Sequence, residues 1–220
     1  MPCIDSILLD RDGTIIIDKH YLCDPDGVEL IAEAGEALAA ACAAGKKLFV
    51  VTNQSGIGRG MFSEEQYQQC RIRLDEMLQA DGAVVSASVH CPHTPDATPA
   101  KCLCRKPEIG MWRMLESAFS LNAGKSVMIG DKYADVAFGK NAGLAASILV
   151  LTGKGMAEAE KLGLGVQADE AAQLKGWVDI RKNDVSAAVG DTFLPDVVAY
   201  NLASALRWVT TVLEDDACDA

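Results

Sequence analysis

The sequence predicts an α/β fold in which helices cover both faces of a doubly wound, mostly parallel sheet. Short apolar runs alternate with segments of helical periodicity over roughly the first 150 residues, and crossover connections between parallel strands require such alternation. A polar cluster follows each of the first four apolar runs. Half of the 220 residues are apolar and 23% are charged, a composition that supplies one sizeable hydrophobic core.

The first elements have clear start and stop signals. The apolar run Ile7–Leu9 predicts a buried strand, because it ends abruptly at the polar residues 10–14. A helix is predicted over about Glu33–Ala44 and ends at Gly45, a residue type favoured at helix C-caps. The second predicted strand covers Lys47–Val51.

The next elements continue the alternation of helices and strands. Ser63 and Gln66 have the spacing of a capping box, which predicts a helix from this point to about Ala80. Pro107 would lie in the first turn of a further helix, where proline is tolerated. The remaining predicted strands are Val84–His90, Ser126–Ile129 and Ala146–Leu151, and the remaining predicted helices are Pro107–Leu121 and Tyr133–Asn141.

The pattern weakens after the fifth strand. Residues 152–190 are placed only loosely, with an insertion over about 156–190. Residues 196–213 predict a closing helix, because apolar side chains recur on one face. These side chains are Val197, Leu202, Leu206, Val209 and Leu213. Since neither a repeat nor a clear linker interrupts the chain, residues 1–220 are predicted to form a single domain.

Charge and hydropathy argue against several classes of function. The formal net charge of −11 disfavours broad binding to nucleic acid or to anionic membranes, since both rely on Lys and Arg. The sequence contains no apolar run near the ~20 residues of a membrane helix, and residues 1–6 lack the pattern of a signal peptide. We therefore expect a cytoplasmic protein, without nucleic-acid or membrane partners, that acts on a small molecule. A monomer is expected, although charge and hydropathy do not determine the oligomeric state.

The polar clusters are expected to converge, because ligands of doubly wound folds bind beyond the carboxyl ends of the strands. Asp10 and Asp12 lie two positions apart, so in an extended chain their carboxylates point to one side while Arg11 points away. Two neighbouring carboxylates suit phosphoryl transfer, one as nucleophile and the other as general acid and base. A polar turn after the strand is the alternative interpretation.

Residues after the other strands supply further parts of a phosphoryl-transfer site. Asp131 follows the fourth strand and offers a third oxygen ligand for a hard cation such as Mg²⁺. Thr52 offers a hydroxyl group and a backbone N–H to a phosphate oxygen, and Lys106 offers a compact positive charge. A nucleophile, an acid, a metal site, a hydroxyl and a lysine together predict an enzyme of phosphoryl transfer.

A second cluster contains soft metal ligands. It comprises Cys91, His93, Cys102 and Cys104, in a loop that spans residues 91–104. Sulfur and imidazole ligands select Zn²⁺ over Mg²⁺, and four protein ligands leave no open position, so the predicted zinc is structural. A disulfide between Cys102 and Cys104 and buried free thiols are alternatives, and His90 is a second candidate for the imidazole ligand.

These motifs together resemble the four-motif pattern of the haloacid dehalogenase (HAD) phosphatases. The motifs are Asp10–Thr14, Thr52–Gly56, Arg105–Pro107, and Gly130–Lys132 with Asp135. The chain is similar in particular to the branch that contains heptose 1,7-bisphosphate phosphatases and the related histidinol-phosphate phosphatases, in which the zinc loop also occurs. The matching stretches run from about Ile7 to Gly153.

The resemblance implies a HAD-like fold and a role for each matching residue. Asp10 would be the nucleophile and Asp12 the general acid and base. Mg²⁺ would be held by Asp10, the main-chain carbonyl of Asp12 and Asp131. Thr52 and Lys106 would hold the transferred phosphate, and Lys132 would approach the phosphate or the carboxylates that bear the magnesium.

The predicted substrate is a small phosphorylated sugar. The chain from Thr14 to Lys106 has room for no cap domain, so the site is expected to be open. The resemblance implies that two loops and Arg105 contact the distal part of the substrate. The loop residues are Asp18, Lys19, His20, Tyr21, Asn53, Gln54 and Ser55, with a solvated flap as the alternative for Lys19 and His20.

The resemblance implies removal of the C7 phosphate from a heptose 1,7-bisphosphate through an aspartyl-phosphate intermediate. This reaction is a step toward bacterial surface-glycan precursors. Hydrolysis of histidinol phosphate is an alternative activity. A zinc-stabilised binding module without catalytic activity is the alternative from another class.

Overall fold

The structure, a computed structural model, describes residues 3–95, 102–164, 176–182 and 193–213. Within these ranges, seven strands form one sheet: β1 Ser6–Leu9, β2 Lys47–Asn53, β3 Val85–Cys91, β4 Ser126–Gly130, β5 Ala146–Val150, β6 Trp177–Asp179 and β7 Val197–Ala199. Their order across the sheet is β3-β2-β1-β4-β5-β7-β6. All neighbouring strands are parallel except β6 and β7. The predicted doubly wound, mostly parallel fold class is therefore confirmed.

Helices connect the strands. In chain order they are α1 Ala34–Ala43, α2 Ser55–Gly58, α3 Glu64–Ala80, α4 Gly110–Phe119, α5 Tyr133–Asn141, α6 Gly155–Lys161 and α7 Leu202–Trp208. Short 3-10 helices cover Pro25–Gly27, Ala123–Lys125 and Ile180–Lys182, and a π-helical turn covers Val209–Leu213. Between β1 and β2 the chain forms only one 3-10 helix and α1, so the described residues include no cap domain at this point.

Alternating side chains of the strands serve two separate layers of core. Ile7 and Leu9 of β1 pack on one face with α1, α3 and α7, whereas Leu8 packs on the other face with α4 and α5. This alternation follows from the two-residue period of a strand. Both faces of the parallel sheet are thus covered, and the carboxyl ends of its strands are left to form a site.

The helix predicted from Pro107 begins three residues later, at Gly110. Long-range hydrogen bonds hold the preceding segment as a loop. The Asn53 side chain accepts from the Lys106 N–H and donates to the Lys106 carbonyl, at 3.0 and 3.1 Å. The Gly110 N–H donates to the Leu103 carbonyl at 2.8 Å. These long-range hydrogen bonds outweigh the local helix signal. As a result, Lys106 lies at the carboxyl edge of the sheet.

The predicted closing helix over 196–213 is wrong in its first part. Residues Val197–Ala199 form β7, which pairs with β5 and with β6. Three consecutive buried apolar residues suit a strand that is covered on both faces as well as they suit a helix. The helix begins after Asn201, whose side chain accepts from the Ser204 N–H at 2.9 Å. The predicted apolar face of this helix is buried, as expected.

Parts of two predicted segments lie outside the described residues. These are residues 96–101 of the zinc loop and residues 165–175 and 183–190 of the loosely placed insertion. The described remainder of the insertion forms α6, β6 and a 3-10 helix. Among the helices of the described residues, none has the length and apolar character needed to cross a membrane.

The capping box at the start of α3 generates a prediction about stability. The Ser63 hydroxyl accepts from the Gln66 N–H at 3.2 Å, and the Gln66 side chain accepts from the Ser63 N–H at 2.9 Å. We expect Ser63→Ala to lower the free energy of unfolding by about 1 kcal/mol, because an N–H of the first turn loses its partner. Urea denaturation measures this change. The control is Ser117→Ala at an exposed position of α4, and equal effects of the two substitutions would contradict the prediction.

Candidate active site

The polar clusters at the strand ends lie around one cavity of about 510 Å³. Its lining includes most of the predicted site residues: Asp10, Asp12, Asp18, His20, Tyr21, Thr52, Asn53, Gln54, Ser55, Arg105, Lys106 and Lys132. Asp131 lies fully buried behind this lining. Lys19 is not part of the lining and instead pairs with Glu29 at 2.9 Å. The binding role of Lys19 therefore stays a prediction, with the solvated flap as its alternative.

A buried ammonium group lies at the centre of the cluster. Lys106 Nζ is 2.8 Å from Asp10 Oδ1, 2.7 Å from Asp135 Oδ1 and 2.6 Å from the Val51 carbonyl oxygen. Burial would raise the pKa of Asp10, but the charges of Lys106 and Lys132 outweigh this effect and lower it to about 2. Asp10 is therefore ionised at neutral pH, as a carboxylate nucleophile must be.

The oxygens beside Asp10 form a site suited to a hard cation. Carboxylate oxygens of Asp10, Asp131 and Asp135 lie within 4.8 Å of one another. Lys132 Nζ is 2.8 Å from Asp131 Oδ1, 3.2 Å from the Asp12 carbonyl oxygen and 3.5 Å from Asp10 Oδ2. Burial and the negative charge of Asp10 raise the pKa of Asp131 to about 7. The Lys132 ammonium thus contacts Asp10, Asp131 and the Asp12 carbonyl. Two carboxylates and one carbonyl are oxygen ligands of the kind that Mg²⁺ favours, and a divalent cation would offset the repulsion between the carboxylates.

The prediction that Arg11 points away from Asp12 is wrong. The chain does not stay extended after β1, because the N–H groups of Ile15 and Ile16 both donate to the Arg11 carbonyl, at 3.0 and 3.1 Å, and close a tight turn. Arg11 Nε and Nη2 donate to the two oxygens of Asp12 at 3.1 and 3.0 Å. The Arg11 guanidinium thus joins the site, which the alternation rule for strands could not predict.

Side chains at the end of β2 form hydrogen bonds with other residues of the site. Gln54 Nε2 donates both to Asp12 Oδ2 and to Thr52 Oγ1, each at 2.8 Å. The amide of Asn53 is used on the main chain of Lys106, as described above, so Asn53 has a positioning role in addition to lining the cavity. The Thr52 hydroxyl is buried beside the cavity.

The rim of the cavity has an unusual backbone. His20 and Tyr21 have φ values of 49° and 53°, a left-handed conformation that side chains other than glycine seldom adopt. The His20 N–H donates to Asp18 Oδ1 at 3.1 Å, which stabilises this turn. On another side of the rim, Arg105 Nη1 donates to the His93 carbonyl at 3.3 Å. The hydrogen bond links the rim to the zinc loop.

Sequence reasoning missed residues of two elements. The sequence motifs assign no role to Asp135, although it bonds Lys106 and accepts from the Lys132 N–H at 3.0 Å. Its N3 position in the helix predicted from Tyr133, where an acidic side chain can accept from the N-cap N–H, was the available signal. The loop after β5 was also missed: the Lys154 N–H donates to Asp131 Oδ2 at 2.8 Å, and the Thr152 hydroxyl donates to the Gly13 carbonyl at 2.6 Å.

The close approach of these loops depends on glycine. Gly13 has a φ of 88° and Gly153 a φ of 56°. A Cβ atom on either residue would collide with Asp131 Oδ2. Both residues therefore need to be glycine for Asp131 to sit beside the β1 turn.

The soft ligands form a compact cluster at the end of β3. The four ligand atoms of Cys91, His93, Cys102 and Cys104 lie within 4.8 Å of one another. The Cys102 and Cys104 sulfurs are 3.0 Å apart and both residues are free thiols, so no disulfide joins them in this structure. His90 is not in the cluster, because its Nε2 lies 3.0 Å from Glu64 Oε2.

The chemistry of this cluster fits a zinc ion. Although burial opposes it, hydrogen bonds from the thiols of Cys104 and Cys91 lower the pKa of Cys102 to about 6. Cys102 is therefore a thiolate at neutral pH, the form that binds Zn²⁺. Three sulfurs and one imidazole nitrogen complete a tetrahedral set and leave no position for a reactant.

Comparison with known proteins identifies similar sequences and folds. Residues 103–177 match the family model described as HAD-hydrolase-like. The chain is 40% identical to D-glycero-beta-D-manno-heptose-1,7-bisphosphate 7-phosphatase of Haemophilus ducreyi, over 71% of this chain and 88% of that protein. It is 39% identical to the Photorhabdus laumondii protein of the same name, over 78% and 89%. D,D-heptose 1,7-bisphosphate phosphatase from B. bronchiseptica, solved in complex with magnesium and phosphate, has a TM-score of 0.72 at 25% identity, over 99% of this chain and 100% of that one.

The soft-ligand cluster generates a prediction about metal content and stability. We expect about one zinc per chain in metal-replete protein, because four ligands close one tetrahedral site. Cys102→Ser should remove most of this zinc and lower the melting temperature, since the metal would link the end of β3 to the segment that precedes α4. Elemental analysis and thermal denaturation measure the two effects.

The matched control is Cys42→Ser, at a half-buried thiol that donates to the Val84 carbonyl and is not among the four ligands. It should retain its zinc. A zinc content below about 0.5 per chain in the unmodified protein would contradict the proposed structural site.

Proposed function

Because the chain belongs to the HAD-like family that includes the heptose-1,7-bisphosphate 7-phosphatases, we propose that it removes the C7 phosphate from D-glycero-D-manno-heptose 1,7-bisphosphate. As a member of this family it is a phosphoric monoester hydrolase. The observation that carries the proposal is the buried contact of 2.8 Å between Asp10 and Lys106, beside the oxygen cluster of Asp131. A phosphate ester in the cavity would meet an ionised nucleophile next to a site for a divalent cation.

In the proposed reaction, Asp10 and Asp12 act in succession. A carboxylate oxygen of Asp10 attacks phosphorus, the bond between phosphorus and the C7 oxygen breaks, and Asp12 gives its proton to the departing oxygen. Asp12 then accepts a proton from water as the water attacks phosphorus, and the bond to Asp10 breaks to release inorganic phosphate. The ionised state of Asp10 and the opening of Asp12 to the cavity support these roles.

The proposed magnesium ligands are Asp10, the Asp12 carbonyl and Asp131. When bound, Mg²⁺ would stabilise negative charge on the oxygens of the transferred phosphate. The burial of Asp131 and its raised pKa support this assignment, because a carboxylate in that state gains from a cation. Asp135 contacts the Lys106 ammonium instead and holds the start of α5 in place.

The proposed phosphate and sugar contacts come from the cavity lining. Thr52, Lys106 and Lys132 would contact the transferred phosphate, since all three line the cavity with Asp10 and the two ammonium groups contact its carboxylate. The sugar and its second phosphate would be contacted by the rim residues Asp18, His20, Tyr21, Asn53, Gln54, Ser55 and Arg105. Arg105 suits the second phosphate because its guanidinium lies at the rim, whereas Lys19 is paired with Glu29 away from the lining. A cytoplasmic location and a monomeric state stay predictions.

Substitution of the nucleophile tests the covalent mechanism. We expect Asp10→Asn to lower kcat by at least about a thousandfold, because the amide cannot attack phosphorus. The substituted side chain keeps its shape and an oxygen acceptor for Lys106, so the protein should remain folded and retain its zinc. Release of inorganic phosphate, circular dichroism and elemental analysis measure these properties.

The control for this substitution is Asp75→Asn on α3. Asp75 pairs with Arg71 at 2.7 Å and does not line the cavity, so its substitution should leave turnover unchanged. Turnover of the Asp10→Asn protein at the rate of the unmodified protein would eliminate the covalent mechanism.

A substrate panel tests the proposed substrate and metal. Initial rates are measured on both anomers of the heptose bisphosphate and on histidinol phosphate, with and without added magnesium, in protein with a constant zinc content. We expect kcat/KM for one heptose anomer to exceed that for histidinol phosphate by at least about tenfold, and all turnover to need magnesium. A tenfold preference for histidinol phosphate would overturn the substrate proposal and leave the phosphatase mechanism in place.

A further inference from the structure

Arg11 stands between Asp10 and Asp12 in the sequence, and its buried side chain contacts Asp12. Its side chain is only 3% exposed. It contacts both oxygens of Asp12 at once, with Nε at 3.1 Å from Oδ2 and Nη2 at 3.0 Å from Oδ1. Such a two-point contact fixes the rotation of a carboxylate as well as its position. The turn after β1 makes this contact between adjacent residues possible.

The Arg11 guanidinium is in turn held from behind by α3. Its Cζ atom lies 5.3 Å from the centre of the Tyr67 ring, a distance at which a cation is attracted to an aromatic face. Tyr67 is 1% exposed and its ring packs against the His90 ring, with ring centres 4.2 Å apart. The guanidinium therefore has a rigid aromatic support, and Asp12 has a rigid partner.

Asp12 is held from a second side by Gln54. Gln54 Nε2 donates to Asp12 Oδ2 at 2.8 Å, and the same nitrogen donates to Thr52 Oγ1 at 2.8 Å. Gln54 is 5% exposed, whereas the Asp12 side chain is 20% exposed and lines the cavity. The Asp12 side chain thus borders the cavity, while both of its oxygens accept hydrogen bonds from buried side chains.

We propose that Arg11 is a positioning residue that orients the Asp12 carboxylate toward the oxygen of the departing sugar and the attacking water. The inference rests on the proposed function, in which Asp12 is the general acid and base. Proton transfer needs the two heavy atoms at about 2.6–3.2 Å, and a displacement of about 1 Å can cost about a hundredfold in rate. A lysine in place of Arg11 would keep the charge but could not hold both oxygens in one plane.

The central test compares Arg11→Lys with Arg71→Lys. Arg71 pairs with Asp75 at 2.7 Å on α3 and does not line the cavity. We expect Arg11→Lys to lower kcat at least about tenfold with KM within about threefold, because the chemical step and not binding is affected. Arg71→Lys should change neither constant. A kcat for Arg11→Lys within threefold of the unmodified protein would overturn the inference.

A double-substitution cycle separates positioning from a general structural role. In an Asp12→Asn protein no carboxylate remains to be oriented, so adding Arg11→Lys should change the residual kcat by less than about threefold. A further tenfold loss in that background would show that Arg11 acts through something other than Asp12. The melting temperature of each variant is measured, and rates are compared only at temperatures where the protein is folded.

Chemical rescue supplies an independent readout. Arg11 lines the cavity, so a guanidinium ion of the medium can reach the space that its side chain leaves in Arg11→Ala. Millimolar guanidinium should raise kcat of this variant at least about fivefold and leave Arg71→Ala unchanged. Absence of rescue in folded Arg11→Ala would count against the inference, and if this variant does not fold, Arg11→Lys decides.

The failure of this inference can be told apart from failure of the proposed function. All rates are measured on the best substrate of the panel described above. If that substrate is histidinol phosphate, the proposed substrate is wrong, but the effect of Arg11→Lys on its turnover still tests the positioning role. If the Asp10→Asn protein retains turnover, the mechanism on which the inference rests is itself wrong.

Discussion

The rest of the site depends on the ion pairs that the buried Lys106 ammonium forms with Asp10 and Asp135. The ammonium group contacts Asp10, Asp135 and the Val51 carbonyl. Burying the Asp10 and Asp135 carboxylates without a nearby cation would cost on the order of several kcal/mol of folding free energy for each, because an unpaired buried ion loses its hydration. Lys106 therefore ties together the end of β1, the end of β2 and the start of α5.

The parallel sheet explains why such a contact can form between distant parts of the chain. The parallel strands end at the same edge of the sheet, where polar residues follow them. Along each strand, side chains alternate between the two packed layers on the faces of the sheet. The contact of Asp131 with the β1 turn also needs two glycines, Gly13 and Gly153, where a side chain would collide. The edge of the sheet thus concentrates carboxylates, and the resulting repulsion favours a divalent cation.

The two candidate metal sites differ in ligand chemistry and in their distance from the reaction. The oxygen site adjoins the proposed nucleophile, whereas the sulfur and imidazole site closes a loop at the end of β3. Arg105 connects them, because it lines the cavity and donates to the carbonyl of the zinc-loop residue His93. Residue His93 of the zinc loop thereby supports one wall of the cavity. The described chain between β1 and β2 forms no cap domain over this cavity.

The sequence alone determined the alternation of strands and helices, the polar ends of the strands and both sets of candidate metal ligands, because local periodicity and the chemistry of side chains are readable from nearby residues. The tertiary structure decided which side chains support others. Asn53 hydrogen-bonds Lys106, which lies 53 positions away, and Gln54 hydrogen-bonds Asp12, which lies 42 positions away. Arg11 turns toward its neighbour Asp12, and Val197–Ala199 joins the sheet instead of a helix. These outcomes depend on contacts between distant segments, on which a local pattern carries no information.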